Sequence, residues 1–508
     1  MLPVVSAPRA AALDAYTIAQ GVPSRALMQR AGAAAAGEIA HRFADRLERG
    51  VLVLAGPGNN GGDGWVIARA LRAAGVTVRV ASPAATKTPD AIAERALFDG
   101  ADAWPLHLLT EPLVVDALLG TGASGEPRGA IAEGIALLRE ARAAGATIVA
   151  IDLPSGLDAT TGDATHCVPA HLTLTFGTIK RGHLVARDAC GTIAVLDIGL
   201  LHDGDPGDPH IADARLVPRV VPPIEAAAHK GTRGKLTIVG GAPGMAGAVV
   251  LAARAALRCG IGMVKALVAP ESVAAVQKAE PFALAAPWPG DADALRAELA
   301  WADGVVLGPG LGRDAAARDL VEQLLRARPR LVIDADALNV MAAEPARFRG
   351  LLAGLHALLT PHPAEAARLL GGIGVEEVLA RRWEVAGELA RGTGATVLLK
   401  GVPTILSDGT EAMVSASGTP VLATGGSGDV LSGIAGTLMV QGQASELLAG
   451  WAAAWIHGRA AELAGGEARQ VRGVTLDAVL EALPHAWAER PAPPRYPVLL
   501  ELAAVGET

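Results

Sequence analysis

Aromatic residues are scarce: Phe, Tyr and Trp make up 3% of 508 residues. A core built around stacked rings is excluded, so Ala, Val and Leu must fill it. Cysteine is nearly absent as well. Cys167, Cys190 and Cys259 are odd in number and lack metal-ligand spacing, which argues against a disulfide framework or a zinc cluster and for reduced, buried thiols. No block of Lys and Arg appears. With 44 of them against 52 Asp and Glu, the net charge is −8, the wrong sign for a nucleic-acid groove. The N-terminus carries Pro3, Pro8 and Arg9 without a continuous apolar run, so no signal peptide is expected. Residues 430–456 have a single charged side chain, Glu446, but Gly442 interrupts them. Two packed helices fit that stretch better than a membrane span. The expected setting is cytoplasmic, with neither nucleic acid nor membrane as partner.

What is abundant is apolar residue (51%), with 61 glycines and 33 prolines spread along the chain. That punctuation suits frequent strand-to-helix turns. The length alone suggests roughly two to four domains.

The first half opens with helices expected over 10–20 and 24–43, with Ser24 as an N-cap. The apolar run 51–55 reads as a buried parallel strand. It enters a loop, 56–64, that holds five glycines with Asn59, Asn60 and Asp63. A helix from Trp65 to about Ala74 and a strand over 76–80 complete a βαβ unit of the dinucleotide-binding kind. A tight turn alone needs one or two glycines, so this loop reads as a ligand site. Two further strands, 113–119 and 147–152, run into the loops Gly120-Thr121-Gly122-Ala123-Ser124-Gly125-Glu126 and Leu153-Pro154-Ser155-Gly156. Each places an acid, Asp116 or Asp152, near the strand's carboxyl end, where open α/β sheets bind ligands. Asn60, Asp116 and Ser155 offer hard oxygen donors of low total charge, suited to a monovalent cation.

These three loops resemble the YjeF N-terminal family, the NAD(P)H-hydrate epimerases. The resemblance covers most of residues 10–200 and implies a Rossmann-like three-layer α/β domain over 1–216. It implies that Asn59, Asn60, Gly61, Gly62, Asp63, the loop Gly120 to Glu126 and Asp152 contact the hydrated nicotinamide nucleotide. It also implies that Asn60, Asp116 and Ser155 hold potassium, and that Asp152 is the acid–base group.

Val217-Pro218-Arg219-Val220-Val221-Pro222-Pro223 breaks all periodicity and reads as an extended linker over 217–224. Beyond it, strands at 235–239, 305–307, 331–333, 358–359 and 397–399 each end in a polar or glycine-rich loop. The last such loop is Thr424-Gly425-Gly426-Ser427-Gly428-Asp429, ahead of a helix. Its free N–H groups make an anion site. Asp429 is either a helix cap or a base. Lys400 is either a snorkelling lysine or a phosphate clamp. His362, between two prolines, is either a satisfied loop histidine or a ligand.

Taken in order, these motifs are similar to the YjeF C-terminal family, the ADP- or ATP-dependent NAD(P)H-hydrate dehydratases of ribokinase-like fold, over about 225–485. The resemblance implies a second α/β domain over 225–490. Lys400, Gly401, Val402, Pro403, Thr404, Gly425, Gly426, Ser427 and Gly428 would bind the adenine nucleotide. Ala248, Gly310, Gly312, His362 and Asp429 would face the hydrate. Asp429 would accept the hydroxyl proton as a phosphoryl group arrives. Mg2+ is expected with the nucleotide, and Asp334 and Asp336 are the acids available to reach it through water. The family also suggests a homo-oligomer. The tail, 491–508, is assigned no role.

Overall fold

In the computed structural model, the chain divides into two compact units. The structure describes residues 1–106, 110–327, 330–442, 444–488 and 492–505. The first unit contains residues 2–208 and 492–505, and the second begins at residue 209.

In the first unit, β1 (Leu2–Val5), β2 (Val51–Ala55), β3 (Val78–Ala81), β4 (Leu113–Ala117), β5 (Thr147–Ile151), β6 (Leu172–Phe176), β7 (Ile179–Lys180) and β8 (Thr192–Leu196) form in turn. A parallel sheet runs β3-β2-β4-β5-β6-β8. Its central strands are buried on both faces, which is why they read as unbroken apolar runs. Helices α1 (Ala7–Ala19), α2 (Ser24–Arg42), α3 (Asn59–Ala73), α4 (Pro89–Arg95) and α5 (Ala130–Ala143) accompany it.

Two local expectations are corrected. Ser24 is the first residue of α2, not its cap; Pro23 holds the cap position without a side-chain bond. Ser24 Oγ instead donates to Asp90 at 2.6 Å. The glycine cluster is also not all loop, because α3 starts at Asn59. Its glycines let the helix lie close to the strands. A Cβ at Gly61 would meet Gly56 O at 1.9 Å, and one at Gly64 would meet Ala117 Cβ at 2.8 Å.

The second unit continues with β9 (His210–Ile211), β10 (Lys235–Val239), β11 (Met263–Val268), β12 (Ala283–Pro287), β13 (Gly304–Leu307), β14 (Leu331–Ile333), β15 (Ala357–Leu359), β16 (Thr396–Leu399), β17 (Thr404–Ser407) and β18 (Ala412–Ser415). Strands β12-β11-β10-β13-β14-β15-β16 are parallel; β17 and β18 extend the sheet as antiparallel neighbours. Helices that matter below are α6 (Ala246–Arg258), α7 (Ala335–Ala343), α8 (Pro363–Leu369), α9 (Ser427–Gln441) and α10 (Glu446–Gly465). The last two are the packed pair expected from residues 430–456. Among the described residues, no helix is long and apolar enough to cross a membrane.

Two boundary features differ from the expectation. The proline-rich stretch is not wholly extended: Val217–Val220 is a helical turn whose Val217 and Val220 are buried. Pro218 sits in its first turn, where a missing N–H costs nothing. The second unit starts earlier, because β9 pairs with β18 through Met413 and His210. The unassigned tail has structure too. Its β19 (Val498–Leu502) pairs antiparallel with β8, and Arg495 meets the buried Glu38 at 2.7 Å. Pro491 and residues 506–508 of that tail, and residues 489–490 of the expected second domain, lie outside the described residues.

Candidate functional site

In the first unit, a cleft of about 600 Å³ opens along the carboxyl edge of the sheet. Gly58, Asn59, Asn60 and Asp63 of the α3 start line it, together with Gly120, Thr121, Gly122, Ala123 and Asp152. The free N–H groups of the first turn of α3 and its dipole favour an anion there. Gly61 and Gly62 lie within α3 and do not line the cleft; Gly62 packs against Met28. Ser124, Gly125 and Glu126 are exposed and lie outside its lining.

Asp116 is buried at the end of β4. It accepts Ser155 Oγ–H at 2.5 Å, Ser155 N–H at 2.8 Å and Leu118 N–H at 3.2 Å. Burial nevertheless pushes it up to about 6. Asn60 Nδ2 donates to Leu119 O at 2.9 Å, while its buried Oδ1 has no partner among the described residues. A buried acceptor without a donor is costly.

Asp152 follows β5 with a φ of 64°, an uncommon conformation for a residue with a Cβ. Its Oδ1 accepts from Lys180 Nζ at 2.6 Å and Thr175 Oγ1 at 3.1 Å. Its Oδ2 accepts from Thr121 N–H at 3.0 Å and from the Thr121 hydroxyl. Burial alone would raise its pKa, but the Lys180 ammonium and these donors hold it well below the usual carboxylate range. Asp63 is shifted the other way, well upward, by burial and by the neighbouring Asp152 and Asp14 carboxylates. His183 is pushed down to about 4 by burial and Lys180, so it is neutral at pH 7. Its Nδ1 accepts Lys180 N–H, which leaves Nε2 to donate to Asp152 O at 2.8 Å.

Lys180, His183 and Thr175 escaped the sequence reading. The available signal was the charged pair Lys180-Arg181, four residues beyond the end of β6 and starting at the last residue of β7.

In the second unit, a charged cluster gathers where β14, β15 and β16 end and α9 begins. Asp334 is 1% exposed. Its Oδ1 accepts from Lys400 Nζ at 2.8 Å and its Oδ2 from Ser432 Oγ at 2.7 Å. Burial opposes its ionisation, but Lys400 and Ser432 prevail and lower its pKa. Lys400 therefore does not snorkel; it pairs inward. A Cβ at Gly428 would lie 3.2 Å from Lys400 Nζ, so glycine there lets the α9 backbone approach the pair.

Asp429 lies in the first turn of α9. The helix is capped by Gly426 at φ 93°, with no side-chain cap bond. Asp429 thus does not serve as the cap. Burial, then repulsion from Asp334, pushes it up to about 7, against the pull of Lys400. Glu365 is also raised to about 7, chiefly by burial; it accepts His362 N–H at 2.9 Å and lies 3.9 Å from Lys400 Nζ. His362 caps α8: its Nδ1 accepts Ala364 N–H at 3.1 Å. That is the satisfied-histidine reading, with Nε2 3.4 Å from Glu365 Oε1.

Gly310 and Ala248 come together, since a Cβ at Gly310 would lie 3.3 Å from Ala248 Cβ. Gly310 O accepts Ala242 N–H at 2.7 Å, and Gly312 N–H donates to Asp336 at 3.0 Å. Gly401, Val402 and Pro403 form the turn between β16 and β17, with Thr404 opening β17 and Val402 65% exposed. Ser427 is buried and Gly425 exposed on the α9 approach. Ser432 was not foreseen; it sits four residues beyond Gly428, one turn along the same helix face. Among the described residues, no three His, Cys, Asp or Glu side chains converge as metal ligands.

Both halves match known families. Residues 24–182 match the YjeF-related protein N-terminus, and residues 236–485 match NAD(P)H-hydrate dehydratase. The bifunctional NAD(P)H-hydrate repair enzyme Nnr of Escherichia coli is 36% identical over 396 residues, covering 75% of this chain and 74% of that protein. The counterpart from Moorella thermoacetica is 37% identical, covering 76% of this chain and 78% of its own. That of Leishmania braziliensis is 36% identical, covering 77% and 76%. Among solved structures, the ADP/ATP-dependent NAD(P)H-hydrate dehydratase of Bacillus subtilis, co-crystallised with ATP and Mg2+, is 25% identical with a TM-score of 0.46, covering 54% of this chain and 96% of that one. Yeast YNL200c is 25% identical with a TM-score of 0.34, covering 38% and 88%. With both domains in one chain, and relatives above one-third identity matched over about three-quarters of their length, the chain belongs to the family of bifunctional NAD(P)H-hydrate repair enzymes.

Proposed function

We propose that the first unit interconverts the R and S forms of hydrated NADH and NADPH, and that the second dehydrates the S form using ADP or ATP. In the first unit, Asp152 is the acid–base group at C6 of the hydrated ring, and Lys180 keeps it ionised between proton transfers. The start of α3 and the Gly120 to Ala123 loop hold the nucleotide phosphates and ring; Gly61 and Gly62 serve by close packing, and Ser124 to Glu126 flank the entrance. Asn60, Asp116 and Ser155 fit potassium: the unpartnered Asn60 Oδ1 and the carboxylate of Asp116 supply oxygen donors without a full neutralising set of protein hydrogens. Bound there, potassium would supply positive charge that offsets the burial of Asp116.

In the second unit, Asp429 takes the hydroxyl proton of the hydrate while the terminal phosphoryl of the nucleotide moves to that oxygen. The C6–O bond then breaks, C5 loses a proton, and phosphate, AMP (or ADP) and NADH (or NADPH) leave. The N–H groups of Gly426, Ser427 and Gly428 stabilise charge developing on the phosphoryl group. Lys400 to Thr404 and Gly425 to Gly428 bound the nucleotide; Ala248, Gly310, Gly312 and His362 bound the hydrate. Magnesium, bound with the nucleotide, would offset charge on its phosphates. Asp334 and Asp336 do not fit as its dedicated ligands, since Lys400 and Ser432 occupy the first and Gly312 and Arg313 the second. The resemblance implies a homo-oligomer, and three unpaired cysteines favour the cytoplasm.

The observation that carries this reading is Asp429: inside the anion-binding turn, uncapped, and poised to accept a proton near neutral pH. The test is absorbance recovery in the NADH band from racemic hydrated NADH, with and without ADP. Full recovery only with ADP supports both activities. Recovery of about half, beyond spontaneous epimerisation, would refute the first. Recovery without nucleotide would refute the second.

A further inference from the structure

We propose that His183 is a positioning residue for epimerisation: through its bond to the Asp152 carbonyl it keeps the Asp152 carboxylate facing the cleft. This rests on the epimerase reading above. Asp152 needs such support. Its φ of 64° and the bond from Leu153 N–H to Ile151 O at 2.8 Å make it the centre of a γ-turn of the positive-φ kind, which is rare and strained. A turn of the same form follows β6, where Thr178 N–H donates to Phe176 O at 2.6 Å around Gly177, also at φ 64°. Glycine adopts that conformation readily. Aspartate does not, and strain of this kind persists only where the surroundings over-determine it.

The determining contacts come from one turn of chain. Lys180 ends β7, and His183 lies in the short helix Arg181–Val185 that follows. Lys180 Nζ donates to Asp152 Oδ1 at 2.6 Å, and His183 Nε2 donates to the Asp152 main-chain oxygen at 2.8 Å. Lys180 N–H in turn donates to His183 Nδ1 at 3.2 Å. The three bonds close a ring that grips Asp152 by backbone and side chain together. Relaxing φ at Asp152, or turning its side chain away from the cleft, breaks at least one of them.

The bland role for His183 is to help start its own helix, as a buried and satisfied histidine. That role uses Nδ1 alone, and it does not require Nε2 to point at Asp152. An apolar side chain could fill the same space, but it would leave the Asp152 carbonyl without this donor. The ring is 0% exposed and stays neutral at pH 7 through burial and the Lys180 ammonium. It therefore directs Asp152 without adding a charge beside the Lys180–Asp152 pair.

The test uses the full chain without ADP or ATP, so that the dehydratase is silent. Interconversion of the R and S forms of hydrated NADH is followed by chromatography. In His183→Asn the amide oxygen can still accept Lys180 N–H, but the shorter side chain does not reach the Asp152 carbonyl. Its kcat should fall by about 10–100-fold with KM within about twofold of wild type. In His183→Gln the longer amide brings an N–H donor back to that carbonyl, and kcat should recover most of the loss. Denaturant unfolding of both variants checks that the first unit is folded. An undiminished kcat in His183→Asn would overturn the proposal, as would a His183→Gln variant no faster than it. A raised KM or an unfolded first unit in His183→Asn would make the role structural and overturn it too. Wild type that interconverts neither form would overturn the epimerase reading and this proposal with it.

Discussion

Asp152 and Asp429 hold matching places in their own units. Each lies at the carboxyl edge of a parallel sheet, beside a glycine-rich turn and near a lysine, Lys180 buried and Lys400 half-buried. Their electrostatics are opposite. Lys180 bonds directly to Asp152, with threonines on both carboxylate oxygens, and the group stays ionised. Lys400 bonds to Asp334 instead. Asp429 is left as the surplus carboxylate and rises to about 7. What sets a buried acid's proton affinity here is therefore which carboxylate the lysine chooses.

The largest effect should come from removing each acid in turn. Asp429→Asn is near-isosteric and should cut dehydration by about 10²–10⁴-fold while leaving epimer interconversion intact; Asp152→Asn should do the reverse. NADH recovery and the chromatographic R-to-S ratio measure the two separately. A variant that impaired both reactions equally would break the division of labour.

Removing the lysines comes next. Lys400→Met leaves Asp334 buried opposite nothing charged, and the second unit should lose about 3–5 kcal/mol of stability. Lys180→Met should cost less, since Thr121 and Thr175 still donate to Asp152. Its signature should be an acid limb appearing in the epimerisation pH profile as Asp152 rises toward ordinary values. Denaturant unfolding of the two variants checks the order, and equal losses would erase the contrast.

The smallest effect is pH itself. A base with a raised pKa works only when deprotonated. Dehydration kcat/KM should therefore climb with pH through about 7 and fall about tenfold per unit below it. Epimerisation should show no such limb from Asp152 between pH 5 and 8. Parallel profiles in the two assays would contradict the contrast between the carboxylates.

Much of the fold could be read in advance where local pattern and final structure agree. Val51–Ala55, Lys235–Val239 and Leu331–Ile333 are strands with the bounds their apolar runs suggest. The glycines from Gly61 to Gly64 were misleading, because glycine marks both a turn and a helix pressed against its neighbours, and only the packing distinguishes them. Partner choice was the other gap. Lys180 meets Asp152 from 28 residues away and Lys400 meets Asp334 from 66. A sequence shows that a lysine follows a strand, not which carboxylate will lie beside it. Asn60, Asp116 and Asp152 were legible as polar residues at strand ends, yet the unpartnered oxygen of Asn60 emerges only from the folded geometry.

The pairing of β19 with β8 also governs when the first unit is finished during synthesis. Roughly 300 residues separate the two strands. At about 5–20 residues per second, a ribosome needs roughly 15–60 s to cover that distance. Throughout that interval the backbone edge of β8 that β19 will cover has not met its final neighbour, and bare strand edges invite pairing with other chains. Nascent chains on one message are thus most exposed to one another before the last strand emerges, and slow translation of the second unit lengthens that exposure.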